Sequence, residues 1–179
     1  LPSFDAHIKH VRHNLTTLQQ FNAAMPECFD WQVTMCFYTA VHLVNAHLAK
    51  FGLHYQSHEN VKNALSPFMP VSVSKIPEDE YAAYVGLQHL ARRSRYLVNE
   101  KDQKNKDEEQ AHLTYDKHLT KACRHLDTLL KFFAEKYNLA FDQAEVEGTG
   151  LNHNETLKFL VPKPKKAASI RPAPLPLMK

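Results

Sequence analysis

The sequence predicts an all-α protein, an up-down four-helix bundle with an extra short helix and an extended C-terminal arm. Three observations carry that reading. Apolar side chains recur at steps of three and four along four separate stretches, the pattern of one-sided helices. Only four glycines (Gly52, Gly86, Gly148, Gly150) occur in 179 residues, with no Asn-Gly or Asp-Gly pair, so the turns of a hairpin-rich fold are missing. The stretches are mostly joined by short connections, which favour antiparallel neighbours. A chain of this length suits one domain with an appended tail. It can bury ~70% of the surface its unfolded form exposes, enough to fold without a disulfide or a metal.

The first helix is expected over residues 3–24. Phe4, Ile8, Val11, Leu15 and Leu18 share one face, Ser3 caps the start, and Pro26 prevents continuation past Met25. The second is expected over 30–51, with Asp30 as N-cap and Gly52 as the stop. It carries two stripes: Val33, Phe37, Val41, Val44, Leu48 and Phe51 on one, and Trp31, Met35, Tyr38, His42 and Asn45 on the other. A helix apolar on more than one side is central in its bundle, packed by several neighbours or by one neighbour and a second subunit. Ser57 caps a short helix from His58 to Leu65, halted at Ser66-Pro67, and Pro67, Pro70 and Pro77 make 66–77 irregular. A third long helix begins near Pro77, with Glu78, Asp79 and Glu80 in its first turn, and runs to about Val98 along Tyr84, Leu87, Leu90, Ala91 and Leu97. Gly86 weakens it by ~1 kcal/mol relative to alanine.

Residues 99–110 hold no apolar side chain and are expected as a solvated loop or exposed helical extension. The fourth long helix is expected over 111–138, on the clear stripe Leu119, Ala122, Leu126, Leu129, Phe133 and Tyr137. This closes a bundle over residues 1–138. Residues 139–161 are short apolar pieces around a polar stretch, an irregular wrap or a short strand pair. Residues 162–179 form a tail with five prolines, a composition that favours polyproline II or disorder.

That tail also holds five basic residues and no acid, which leaves 17 basic against 19 acidic side chains in the rest. A body so close to neutral lacks the broad positive face of a duplex-DNA binder. Neither GxGxxG nor GxxxxGK[ST] is present, so Gly-rich phosphate loops are excluded and no cofactor is expected. No run of 18 apolar residues occurs, so no membrane span is expected. Cys28, Cys36 and Cys123 show no CxxC spacing and are read as reduced thiols, Cys36 and Cys123 in the core; that predicts a cytoplasmic protein.

The twelve histidines are the unusual count. His7, His10 and His13 lie three residues apart on the first helix, where neighbouring pairs are close enough to touch one ion. Zinc wants a third and fourth ligand, no HExxH is present, and no metal ligand is assigned. These three are expected on the helix surface, and His112, His118 and His125 on solvated helix faces. His42 interrupts an apolar stripe and shares its face with Tyr38 and Asn45, either as a satisfied core histidine or in a polar pocket that His58 approaches. Arg92, Arg93 and Arg95, followed by Tyr96 and preceded by His89, form a cation cluster whose guanidinium forks suit phosphate oxygens or acids on neighbouring helices. No Ser-His-Asp order or nucleophile elbow is visible.

Asp30-Trp31-Gln32-Val33, then Phe37-Tyr38-Thr39-Ala40-Val41-His42 to Ala46, then Ser57-His58, then Tyr84 to Leu90 leading into Ser94-Arg95-Tyr96, together resemble HEPN-domain proteins over roughly residues 5–137. The resemblance implies a bundle of four or five helices that commonly dimerises. It also implies a role as an RNA-cleaving toxin, an RNA- or nucleotide-binding accessory module, or a partner of a nucleotidyltransferase, often in prokaryotic defence or toxin–antitoxin systems. Active ribonucleases of the family carry an arginine followed, after four to six residues, by a histidine. None of Arg12, Arg92, Arg93, Arg95, Arg124 or Arg171 is followed in that way.

Three functions follow from these residues. The first is a binding or assembly subunit that homodimerises or docks on a heteromeric protein partner, with Arg92, Arg93, Tyr96 and His89 facing RNA or nucleotide phosphates. The second is a divergent, metal-independent ribonuclease or nucleotide-directed enzyme with His42, His58 and Arg95 as catalytic residues. The third is a His-rich metal-binding helical protein.

Overall fold

The computed structural model describes residues 2–96, 113–148, 150–151 and 157–163. Among the described residues five helices, α1 (Phe4–Ala24), α2 (Phe29–Lys50), α3 (His58–Leu65), α4 (Glu78–Tyr96) and α5 (Asp116–Tyr137), precede two short strands, β1 (Ala144–Val146) and β2 (Leu160–Pro162). The chain is mostly helical, as its periodicity predicts. The 99–110 linker, His112 and the tail beyond Lys163 lie outside the described residues.

Local chemistry sets most helix ends. The Ser3 hydroxyl accepts from the Ala6 N–H at 3.2 Å, and Ser57 accepts from Asn60 N–H at the same distance; a cap of this kind is worth about 1 kcal/mol. Gly52 turns the chain after α2 at φ 69°, and Asn138 ends α5 at φ 50°, both left-handed. Two boundaries differ from expectation. α2 starts two residues early, with Cys28 rather than Asp30 as N-cap, so Asp30 lies in the first turn, where its charge meets the helix dipole. α5 starts at Asp116, not near 111, because the His118 ring folds back and its Nδ1 accepts the Tyr115 N–H at 2.9 Å.

α2 is the central rod, packed by α1, α4 and α5, while α4 and α5 also pack on each other. Its first stripe supplies core: Val33, Phe37, Val44 and Leu48 are fully buried. The second stripe is partly open, with Trp31 59% and Tyr38 40% exposed. α1 lies antiparallel on α2, His7 beside His42 and Asn22 beside Gln32. α4 and α5 approach closely at Gly86, where a Cβ would stand 2.7 Å from the His125 Nε2. That close approach explains a glycine inside a helix.

Two described stretches after α5, residues 139–148 and 157–163, bridge α1 and α5 as a strap. β1 packs on α1, β2 packs on α5, and the strands pair in parallel with Ala144 opposite Leu160 and Val146 opposite Pro162. The strand-pair alternative for this segment is the one observed. Its anchors are polar and deep. Asp127 of α5 is fully buried, and its carboxylate accepts the N–H groups of Lys158, Phe159 (2.6 Å) and Leu160, while Lys131 Nζ sits 2.8 Å away. On the α1 side the Asn22 side chain takes the Glu147 N–H at 2.8 Å and donates to the Glu147 carbonyl and to Gln32. Gln32 in turn donates to the carbonyls of Met25 and Pro26.

Candidate functional site

The N-terminal turn of α2 opposes the C-terminal turn of α4, and a recess of about 240 Å³ opens there, lined by Asp30, Trp31, Thr34, Ser94 and Arg95. Arg95 is its centre. Its Nη1 donates to the Tyr38 hydroxyl at 3.1 Å and its Nε to the Ala91 carbonyl at 3.3 Å. The guanidinium carbon lies 5.6 Å from the ring centres of Phe37 and Tyr38 and 5.1 Å from that of Tyr96. Three aromatic faces around one cation hold it electrostatically without neutralising it. Among the described residues no carboxylate forms an ion pair with it. Tyr96 is 63% exposed, so with Trp31 and Tyr38 it leaves an aromatic surface open beside a fixed positive charge.

His58, at the start of α3, packs its ring 5.2 Å from that of Phe37. Burial holds its basicity below the ordinary histidine value, and the nearby Arg95 charge lowers it further. His58 and Arg95 therefore share one neighbourhood. His42 belongs to another: its Nδ1 is 3.0 Å from that of His7, and its ring centre is 4.2 Å from that of His10, both on α1. Burial, then His10 and His7, push it down to about 4. His42 is half-buried against His7 and His10 of α1, away from His58. Tyr38, one turn away on α2, is the link between the two neighbourhoods.

The other cations divide. Arg93 donates through Nε and Nη2 to the Leu113 carbonyl, at 3.2 and 2.9 Å, where the chain returns toward α5. Arg92 and His89 are on exposed positions of α4.

Several histidines expected on the surface are not there. His7 and His118 are buried and His125 is half-buried. Burial and then the cations Arg93, Lys117 and Lys121 push His118 down to about 4, which keeps its Nδ1 free to accept the Tyr115 N–H. His47 is the satisfied core histidine: fully buried, it has Nδ1 2.6 Å from the Tyr137 hydroxyl and Nε2 3.0 Å from the Ser74 carbonyl. Its partners are 90 and 27 residues away in the chain, so no local pattern could have announced it. Cys36 and Cys123 are buried free thiols in contact between α2 and α5; Cys28 is half-buried.

Two other hollows carry less chemistry. A cleft of about 170 Å³ between α1 and the strap is lined by Arg12, Gln19 and Gln143. Arg12 and Gln19 there already bond the Ala140 carbonyl and the Glu145 N–H. A groove of about 360 Å³ beside α3 is lined by Leu53, Tyr55, Met69, Val71 and Val73 and carries no charged residue. Among the described residues no three of His, Cys, Asp and Glu are arranged to hold a metal ion, and no helix is long and apolar enough to cross a membrane. No family model matches the chain, and no curated protein or solved structure matches it either.

Proposed function

We propose that this chain is a HEPN-like binding and assembly subunit, an up-down four-helix bundle that dimerises or docks on a larger complex. Its ligand face is the α2–α4 recess, which takes the phosphate and base of RNA or a nucleotide. The observation that supports this most is the Arg95 guanidinium, held by Tyr38 among aromatic rings and adjoining the exposed faces of Trp31 and Tyr96. A base stacked on such a ring is worth ~1–3 kcal/mol, and the guanidinium fork matches phosphate oxygens. The HEPN resemblance suggests a prokaryotic defence or toxin–antitoxin setting, which the neighbouring genes would test.

Trp31 is the only tryptophan, so its emission reports on the recess alone. Titration with single-stranded RNA or nucleoside phosphates should quench it saturably, and Arg95→Ala should weaken that binding at least tenfold. Unchanged emission at millimolar nucleotide and micromolar RNA would end the reading.

One observation favours a second reading, a divergent metal-independent ribonuclease: His58 and Arg95 both lie against the Phe37 ring, and burial, then the Arg95 charge, lowers the basicity of His58. In that reading His58 acts as general acid–base and Arg95 steadies the phosphorane charge, while His42, which faces α1, stands outside the set. RNA cleavage lost in both His58→Ala and Arg95→Ala is its expected signature.

A further inference from the structure

α1 is pinned to α2 at its two ends by different chemistry. At its C-terminal end the ties are amides: Asn22 to Gln32 at 2.7 Å, Asn22 to Glu147, and Gln32 to the turn carbonyls. Amides do not titrate in the physiological range. At its N-terminal end the tie is a pair of imidazoles with facing Nδ1 atoms 3.0 Å apart. That contact needs one ring to donate an N–H and the other to offer a lone pair, so at least one must be neutral. The His10 ring stands edge-on to His42, with His13 5.8 Å behind it.

We propose that the His7–His42 pair, with His10 and His54 beside it, is a proton-operated latch that holds the N-terminal half of α1 on the bundle and releases it in acid. The groups facing it share one sign. From α1 these are His7 and His10; from the connection after α2, His54; from α2, His42, with Lys50 further along over the Phe4 ring. No carboxylate is among the groups that perturb His7 or His42. A second proton on the His7–His42 pair therefore breaks a hydrogen bond and meets only like charge. Both rings are held below the ordinary histidine value of 6.5, chiefly by burial. Their contribution to closure is thus complete above about pH 6.5 and is lost as pH falls toward 4, because the open form binds the extra protons. The Asn22–Gln32 end has no such dependence, so release is polarised along α1. This inference stands apart from the recess and its ligand.

Amide hydrogen exchange on the full chain, corrected for intrinsic rates, tests it at pH 7.5 and 5.0. Protection over residues 5–15 should fall about tenfold at pH 5.0, allowing for solvent screening of half-buried rings, while residues 16–24 change little. His42→Gln and, independently, His7→Gln keep a polar side chain without the charge and should abolish most of that pH response. Equal loss of protection along the whole of α1, no loss at all, or an undiminished response in whichever variant folds would overturn the latch.

Discussion

On the strap side of the molecule, Asn22, Gln32 and Asp127 are completely buried and each is tied to main-chain groups; on the recess side, Trp31, Tyr38 and Tyr96 stay open around Arg95. Both regions place polar groups next to α2 or its neighbours, yet the first uses them to complete the fold. Among the described residues the strap pairs through short strands alone; a buried carboxylate that accepts three N–H groups takes the place of a longer ladder. In the second region the charge is held in place by rings and stays half-exposed. Burial with full hydrogen bonding marks structure, whereas a positioned cation beside exposed aromatics is the feature on which the proposed binding rests.

This contrast can be broken by substitution. Asp127→Ala should cost the most, about 3–5 kcal/mol in urea denaturation, since it removes the acceptor of the buried Phe159 and Leu160 N–H groups and of the Lys158 N–H. Asp127→Asn should cost less because an amide oxygen still accepts. A loss below ~1 kcal/mol for the alanine variant would mean that the strap is not anchored there. Gly86→Ala should destabilise by about 1 kcal/mol, the displacement of His125 outweighing the better helix propensity, and His125→Ala should restore it. Arg95→Ala should leave thermal stability within about 1 kcal/mol of the parent while removing Trp31 quenching, the reverse of the Asp127 pattern. Tyr84→Phe should have the smallest effect, neutral or stabilising by a few tenths of a kcal/mol, because its buried hydroxyl has no hydrogen-bond partner among the described residues. A clear loss there, read by the same denaturation, would reveal a partner such as a buried water.

The helices were legible because their signals are local. Stripes such as Ile8-Val11-Leu15-Leu18 and Leu119-Ala122-Leu126-Leu129 repeat within one element, and Ser3, Ser57 and Gly52 act on the next few residues. Of the candidate site, the residue types at positions 38, 42, 58 and 95 stood out, but which of them meet did not. Tyr38 and Arg95 are 57 residues apart, and His42 faces α1 across 35. His118 and His125 looked solvated because α5 is amphipathic there, and only the approach of α4 and the strap covers that side.

The sequence by itself determined the rods, their order and most of their ends, since periodicity and capping depend on neighbours a few residues away. Tertiary structure alone decided which polar groups are buried and which remain open. Asp127 acquires its role from three amides more than 30 residues distant, and Arg95 from rings on another helix. A side chain's desolvation and its partners are properties of packing, and no local pattern encodes them.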